Sequence, residues 1–105
     1  MRNRLAVLSF VLVLGLPGQV NKSNLVGVVK DSSGSAVPGE IVKITDTGTG
    51  AVRQEVTDNT GLYRATLLDV GTYSVEAEKA GFKKIMKQGV LLPVGETVTV
   101  DFTLE

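Results

Sequence analysis

The stretch ETVTVDFTLE, from Glu96 to Glu105, has the clearest β-strand pattern of this chain. Its apolar residues alternate strictly with polar ones: Val98, Val100, Phe102 and Leu104 against Thr97, Thr99, Asp101 and Thr103. Successive side chains of a β-strand point to opposite faces, so this segment predicts a strand with one face in a core and the other in water.

The same period of two recurs upstream in shorter runs. The residues predicted to face inward are Leu25, Val29, Val42, Ile44, Tyr63, Ala65, Leu67, Tyr73, Val75 and Ala77. Residues 49–57 and 84–92 predict two further strands. No window of ten residues has a helical period, and Tyr63, Tyr73 and Phe102 are the predicted bulky core residues.

Turn signals separate these runs at intervals of roughly 8–12 residues, a spacing typical of sandwiches. They are Asp31–Gly34, Val37–Gly39, Asp46–Gly48, Asp58–Gly61 and Val70–Gly71. Glycine supplies positive φ at such turns, and Asp side chains bond the backbone of the turn itself. We therefore predict an all-β, seven-stranded, mainly antiparallel sandwich, with Asp69–Thr72 forming a hairpin between the Tyr63 and Tyr73 strands.

The first 20 residues are predicted to form a signal peptide, followed by one domain over residues 21–105. Arg2 and Arg4 precede the apolar run Leu5–Leu16, and Pro17 and Gly18 end it. A helix of that length reaches about 18 Å, short of a bilayer core of about 30 Å. We therefore expect no stable transmembrane segment; the alternative is a buried N-terminal strand or core helix.

The composition excludes several classes of site. The 105 residues contain no Cys and no His, which excludes disulfides, Cys/His zinc sites and every His-based catalytic triad. Lys plus Arg equals Asp plus Glu at 11 each, and removal of Arg2 and Arg4 with the signal peptide leaves a net charge of −2. That balance argues against nucleic acid and against an anionic membrane surface as partners.

Two strings resemble the carboxypeptidase regulatory-like domain, which is related to the transthyretin-like and Cna-B-like pre-albumin sandwiches. They are GVVKDSSGSAVPGEIVKIT (Gly27–Thr45) and TDNTGLYRATLLDVGTYSVEAEKAGF (Thr57–Phe82). Glu40 stands where the family pattern has a small residue after Pro-Gly, so we expect the start of that strand to be more exposed. Phe82 is expected to plug one end of the sandwich.

The resemblance implies a secreted, non-catalytic accessory module of the bacterial cell envelope. Domains of this kind occur at the N-terminus of TonB-dependent receptor-like outer-membrane proteins and beside peptidases. The implied partner is another protein or a neighbouring domain, with no cofactor. The alternative is a carbohydrate-binding module that recognises glycans through its loop end.

Catalytic interpretations of the residues are weak. Lys30 is the nearest base to Ser32, Ser33 and Ser35, residues that more often form turns. Glu76 and Glu78 lie on the polar face of one strand and do not oppose each other across a cleft, as glycoside hydrolysis requires. Transthyretin-like hydrolases depend on histidines, which are absent here. We expect no enzyme activity.

Two further interpretations, an internal amide bond and a calcium site, have little support in the sequence. An internal amide would need a desolvated lysine, yet the alternation places Lys30, Glu76 and Asp101 on outward faces. Asp31, Asp46 and Asp58 could supply calcium ligands if their loops met, although each is already explained by its turn.

One group of residues is a candidate interaction patch: Lys79, Phe82, Lys83, Lys84 and Lys87. These lysines surround Gly81-Phe82 and could dock an acidic partner, a glycan or lipid head groups. The alternative is a solvated loop whose lysines protect an edge strand from pairing with other chains.

Overall fold

The computed structural model describes residues 21–105, and the predicted signal peptide (residues 1–20) lies outside them. The described chain folds as an all-β sandwich, which confirms the predicted fold class. No helix among residues 21–105 has the length and apolar character needed to cross a bilayer. The eight strands are β1 (Lys22–Asp31), β2 (Ile41–Asp46), β3 (Val52–Val56), β4 (Leu62–Asp69), β5 (Gly71–Glu78), β6 (Ile85–Leu92), β7 (Thr97–Thr99) and β8 (Phe102–Leu104).

The strands form two sheets. In the first sheet, β1 is central: it pairs antiparallel with β4 on one side and parallel with both β7 and β8 on the other. The second sheet has the order β3-β2-β5-β6 and is antiparallel throughout. Most pairings are thus antiparallel, as predicted, while the C-terminal segment runs parallel to β1.

The eighth strand arises from a break in the segment that the sequence predicted as one. The N–H of Val100 still donates to the carbonyl of Val26 at 2.8 Å. Beyond it, the N–H of Val28 donates to Oδ1 of Asp101 at 2.9 Å, so a side chain takes the place of a backbone acceptor. The alternation survives this break because Val100, Phe102 and Leu104 are buried and the polar residues between them are exposed.

The core lies between the inner faces of the two sheets. Tyr63, Tyr73 and Phe102 are all buried, which confirms their predicted place in the core. Every other residue predicted to face inward is buried too, except for Val98, which is half-buried against the core, and Leu67, which is exposed.

Gly27 in the middle of β1 explains how the largest core side chain fits. A Cβ at this position would lie 1.8 Å from the carbonyl oxygen of Val100 and 2.7 Å from the ring of Tyr63. The bare backbone therefore lets the Tyr63 ring cross the strand, and its hydroxyl donates to the Val100 carbonyl. Burial, with a smaller contribution from Asp101, raises the pKa of Tyr63 above its usual range.

The predicted hairpin at Asp69–Thr72 is wrong. β4 belongs to the first sheet and β5 to the second, so this segment carries the chain from one layer to the other. Tyr63 and Tyr73 consequently lie in different sheets and not on adjacent strands, with both side chains in the core. Turn residues specify that the chain reverses, and they do not specify the sheet in which the next strand pairs.

The predicted inward position of Leu67 is also wrong. Its φ is +57°, the register between β1 and β4 shifts at this point, and its N–H donates to Oδ1 of Asn24 at 3.0 Å. This bulge turns Leu67 outward, where 65% of it is exposed, and turns Leu68 into the core. A bulge inverts the alternation of every residue that follows it.

The sandwich has two ends that differ in chemistry. We name as the Glu40 end the one formed by turns 31–40 and 57–61, loop 79–84 and the last residues of β8. We name as the Asp46 end the opposite one, where β2 and β4 finish and β5 begins.

Candidate functional site

The lysine-rich loop 79–84 lies at the Glu40 end, between β5 and β6. Nζ of Lys79 donates to the carbonyl of Pro38 at 3.0 Å, and the N–H of Phe82 donates to the carbonyl of Lys79 at 2.9 Å. The N–H of Lys83 donates to the carbonyl of Glu105 at 3.0 Å. The loop is therefore tied to two other parts of this end, the turn before β2 and the residue that follows β8.

Phe82 is half-buried and packs against the core, in agreement with the expected plug at one end of the sandwich. Lys83 and Lys84, the two residues that follow this ring, are exposed. Nζ of Lys84 lies 3.8 Å from Oε2 of Glu76 on the outer face of the second sheet. The sequence-predicted patch residues Lys79, Phe82, Lys83 and Lys84 thus come together in one loop.

Lys87 makes a different set of contacts. It pairs with the inward-facing Val75 across β5 and β6, and its Nζ lies 5.2 Å from the centre of the Phe102 ring. The same ammonium donates to the carbonyl of Asp101 in the other sheet. Lys87 therefore links the two sheets at the β6 side of the sandwich and stands apart from loop 79–84.

Glu40 is the residue for which the structure most clearly overturns expectation. It was predicted to leave the start of β2 more exposed, and it is instead completely buried. Its backbone is well bonded, because its N–H donates to Oγ1 of Thr57 at 2.8 Å and its carbonyl accepts from the Thr57 N–H at 2.9 Å. Within residues 21–105, however, neither carboxylate oxygen has a hydrogen-bond partner.

This environment raises the pKa of the Glu40 carboxyl, chiefly because burial disfavours its charged form. The nearby carboxylate of Glu78 adds to the increase in pKa. The backbone amide of Glu78 and the ammonium of Lys79 oppose it. The buried carboxyl thus lies next to the anchor of loop 79–84.

Two aspartate turns at the same end share one geometry. Oδ1 of Asp31 accepts from the N–H and hydroxyl of Ser33 and from the N–H of Ser35. Oδ1 of Asp58 accepts in the same way from Thr60 and Leu62. The Ser33 hydroxyl chiefly lowers the pKa of Asp31, and the Thr60 hydroxyl chiefly lowers that of Asp58.

The calcium interpretation is not supported by this arrangement. Asp46 lies at the end opposite to Asp31 and Asp58, where its Oδ1 accepts from the N–H groups of Gly48 and Thr49 at 2.9 and 3.2 Å. No group of three or more acidic side chains among residues 21–105 is placed to hold a metal ion.

The catalytic candidates from the sequence are occupied by structural roles or lie apart. The hydroxyl of Ser33 donates to Asp31 at 2.6 Å, within the turn. Lys30 and Asp101 are exposed on the first sheet, whereas Glu76 is half-buried on the second, beside Lys84. Neither the serine–lysine nor the amide-forming constellation is assembled.

Sequence reasoning missed a cleft at the Asp46 end, between the edge strands β3 and β4. It has a volume of about 140 Å³ and is lined by Ile44, Asp46, Ala51, Val52, Arg53, Leu67, Leu68, Asp69 and Tyr73. The bulge that turns Leu67 outward forms part of its wall. The signal in the sequence was the Leu67-Leu68 pair, because two consecutive apolar residues cannot both face inward in a regular strand.

Charged and polar groups surround this cleft. Nη2 of Arg53 donates to the carbonyl of Thr66 at 2.9 Å, and its Nη1 lies 3.5 Å from Oε2 of Glu55. The hydroxyl of Tyr73 donates to the carbonyl of Asp69 at 2.7 Å. Burial raises the pKa of Tyr73, the charges of Asp46 and Asp69 raise it further, and Arg53 opposes them. These groups are therefore within electrostatic reach of one another.

Comparison with solved structures places the fold among known β-sandwich proteins. A proposed carbohydrate-binding protein from Bacteroides uniformis has a TM-score of 0.64 at 22% identity, over 79% of this chain and 41% of that one. GBS52, the minor pilin of Streptococcus agalactiae, has a TM-score of 0.64 at 15% identity, over 81% and 44%. Hydroxyquinol 1,2-dioxygenase from Pseudomonas putida has a TM-score of 0.65 at 11% identity, over 83% and 57%.

At these identities the likeness concerns the fold alone, and the chain spans less than two thirds of each of these proteins. No curated protein sequence matches the chain. The profile of the carboxypeptidase regulatory-like domain matches residues 24–105, nearly all of the described part and well over half of the whole. This match confirms the resemblance seen in the sequence, and the chain belongs to the carboxypeptidase regulatory-like domain family.

Proposed function

We propose that this chain is a non-catalytic accessory module of the bacterial cell envelope that docks an acidic protein partner or neighbouring domain through loop 79–84. The observation that carries the proposal is a basic loop held in a fixed shape. Lys79 and the Lys83 backbone are bonded to the body of the domain, and Phe82 is seated against the core. A loop fixed in advance loses little conformational entropy when it binds.

The charge pattern supports a protein partner better than a nucleic acid. Residues 21–105 carry two more acidic than basic side chains, so the loop is a local positive site on a weakly negative domain. Lys83 and Lys84 are free to meet carboxylates, because their bonds to the rest of the domain are a backbone bond and one long ion pair at 3.8 Å. Such rim charges mainly steer association and make it sensitive to salt.

Glycan recognition at this loop has less support. Phe82 is the one aromatic residue of loop 79–84, and its ring is already packed against the core. The likeness to a proposed carbohydrate-binding protein is a likeness of fold. Export by the signal peptide at residues 1–20, and a position at the front of a TonB-dependent receptor-like protein, are parts of the proposal that rest on the sequence.

A photo-crosslinking residue at position 80, an exposed position of the same loop, tests the docking role in intact cells. We expect a discrete crosslinked protein whose yield falls about tenfold in the double variant Lys83→Glu/Lys84→Glu, because both charges reverse at the contact. The matched control is Lys30→Glu/Arg64→Glu, which reverses two exposed cations on the first sheet and should leave the yield unchanged. Equal yields from the two double variants, or no discrete product, would contradict docking by the loop.

A further inference from the structure

The cleft at the Asp46 end has a structural cause that sets it apart from an ordinary surface depression. At the β4 bulge, Leu67 adopts a left-handed conformation that is rare for a leucine, and it does so with 65% of the residue exposed. Residues in such conformations concentrate at functional sites, where the surrounding structure holds them. Here the bulge is held from both sides, because the Leu67 amide donates to Oδ1 of Asn24 and Nη2 of Arg53 donates to the Thr66 carbonyl.

The size of the cleft limits what it can hold. At about 140 Å³ it is well below the roughly 300–1,000 Å³ of sites for drug-sized ligands. Ile44, Val52, Leu67 and Leu68 supply apolar wall, and Leu67 and Val52 remain more than half exposed at the rim. The occupant is therefore one small ring or group with an apolar face.

The charges around the cleft favour a neutral occupant that both donates and accepts hydrogen bonds. Among the described residues, Lys22 pairs with Asp69, and Glu55 is the ion-pair partner of Arg53. Asp46 is 7% exposed, and the two N–H groups that it accepts both bind Oδ1, so Oδ2 keeps acceptor capacity. Arg53 has five N–H donors, of which two are directed at Thr66 and Glu55. An ion of either sign would meet a like charge on one of these two side chains.

From this geometry we propose that the cleft binds a single neutral, polyhydroxylated ring, one saccharide unit, with its hydroxyl pairs between Asp46 and Arg53 and its C–H face against Leu67 and Val52. The unit can come from a free sugar or from the end of a glycan chain. This site lies at the end opposite to loop 79–84, so its failure would leave the docking role untouched.

Titration of the 15N-labelled protein with methyl α-D-glucopyranoside tests the proposal. We expect saturable chemical-shift changes confined to the amides of Gly48, Thr49, Leu67 and Leu68, and no saturation with cyclohexanol, which lacks paired hydroxyls. Maltotetraose separates the two sources: equal affinity assigns the cleft to free units, and tighter binding assigns it to chain ends. Absence of saturable changes at these amides with methyl α-D-glucopyranoside and with maltotetraose overturns the proposal.

Variants make the assignment to Asp46 specific. Asp46→Asn keeps an Oδ1 acceptor for the Gly48 and Thr49 amides and replaces the free Oδ2 with an NH₂ group. We expect about tenfold weaker binding, the effect of losing one hydrogen bond to a charged group. Asp58→Asn makes the same change in an aspartate turn at the opposite end and should leave the affinity unchanged. If both variants bind as the unaltered protein does, Asp46 is not a ligand of the site and the proposal fails.

Leu67→Gly separates the apolar wall from the fold. Glycine adopts a φ of +57° without strain, so the variant should keep the stability of the protein or raise it. Loss of the leucine side chain should still weaken saccharide binding several-fold. If this stable variant binds the saccharide as tightly as the unaltered protein does, the Leu67 side chain is not part of the site and the proposed mode of binding is wrong.

Discussion

Asp31 and Asp58 lie at the same end of the sandwich as Glu40, but they differ from it in burial, in hydrogen bonding and in the direction of the pKa shift. Each aspartate is in an exposed or half-exposed turn, and one oxygen of each accepts three hydrogen bonds from its own turn. Glu40 is completely buried, and neither of its oxygens accepts any from the described residues. The shorter aspartate side chain can fold back onto the backbone of its own turn. The Glu40 side chain instead lies buried in the sandwich.

Neighbouring acids can therefore give the stability of one domain opposite dependences on pH. The pKa values of Asp31 and Asp58 are lowered from 3.8, so their stabilising contribution is present above that value and is lost as the pH falls through the folded pKa. The pKa of Glu40 is raised from 4.5, so its contribution is most favourable below that value and is lost as the pH rises through the folded pKa.

The largest effect on stability is expected for Thr57, whose hydroxyl holds the backbone at Glu40 and Val37. Oγ1 of Thr57 accepts from the Glu40 N–H at 2.8 Å and donates to the Val37 carbonyl at 2.7 Å, both in the interior. Thr57→Val keeps the shape of the side chain and leaves these two groups unpaired, each at about 1–3 kcal/mol. We expect denaturant unfolding to show a loss of about 3 kcal/mol in the free energy of unfolding.

Thr103→Val is the matched control for this variant. Thr103 is exposed on β8, so the same substitution should change the free energy of unfolding by no more than about 0.5 kcal/mol. Similar losses in the two variants would contradict a special role for the bonds that hold Glu40.

A smaller effect of opposite sign is expected when the Glu40 carboxyl itself is removed. Glu40→Met fills the same space without a charge, and replacement of buried ionic groups by apolar side chains stabilises other proteins by about 1–4 kcal/mol. We expect a gain of about 1–2 kcal/mol in the free energy of unfolding at pH 7. The gain should shrink as the pH falls towards 4.5, because Glu40 then becomes protonated and neutral.

Glu78→Met tests whether this gain comes from burial. Glu78 lies next to Glu40 but is exposed at the end of β5, so its loss should give little change in stability and little dependence on pH. A Glu40→Met gain that is the same at pH 4.5 and pH 7 would show that the apolar surface of methionine, and not the removed charge, is responsible.

The contrast between these carboxylates also marks how far the sequence could be interpreted. The aspartate turns were predictable, because within residues 21–105 the side chains of Asp31 and Asp58 bond only to residues within four positions in the chain. The burial of Glu40 was not, because it depends on the packing of the Val37–Gly39 turn against Thr57, twenty residues further on. A charged residue in a turn region gives no local sign of such long-range packing.

The same distinction holds for the fold and for the cleft. Strict alternation in Glu96–Glu105 predicted the buried and exposed faces of β7 and β8 through the break at Asp101. Alternation could not predict the bulge at Leu67, whose amide donates to Oδ1 of Asn24 on the neighbouring strand. Nor could it predict that β4 and β5 lie in different sheets, since pairing is a property of partners distant in sequence. The cleft depends on both features, and its sign in the sequence was the adjacent apolar pair Leu67-Leu68.

The smallest effect is expected for the charges of the aspartate turns. Asn at position 31 or 58 keeps an Oδ1 acceptor of the same geometry and removes only the negative charge, so the double variant Asp31→Asn/Asp58→Asn isolates the charge-assisted part of six hydrogen bonds. Both carboxylates reach solvent, which screens them, so we expect a lower melting temperature at pH 7 but a smaller change than in Glu40→Met. The difference from the unaltered protein should vanish as the pH falls through the folded pKa of the two aspartates, because both proteins are then neutral at these positions. Thermal unfolding followed by circular dichroism between pH 2 and pH 7 measures this directly. If the melting temperature of the double variant is lowered by the same amount at pH 2, asparagine disturbs the turns themselves. The aspartates would then give no evidence for a stability that is lost at low pH.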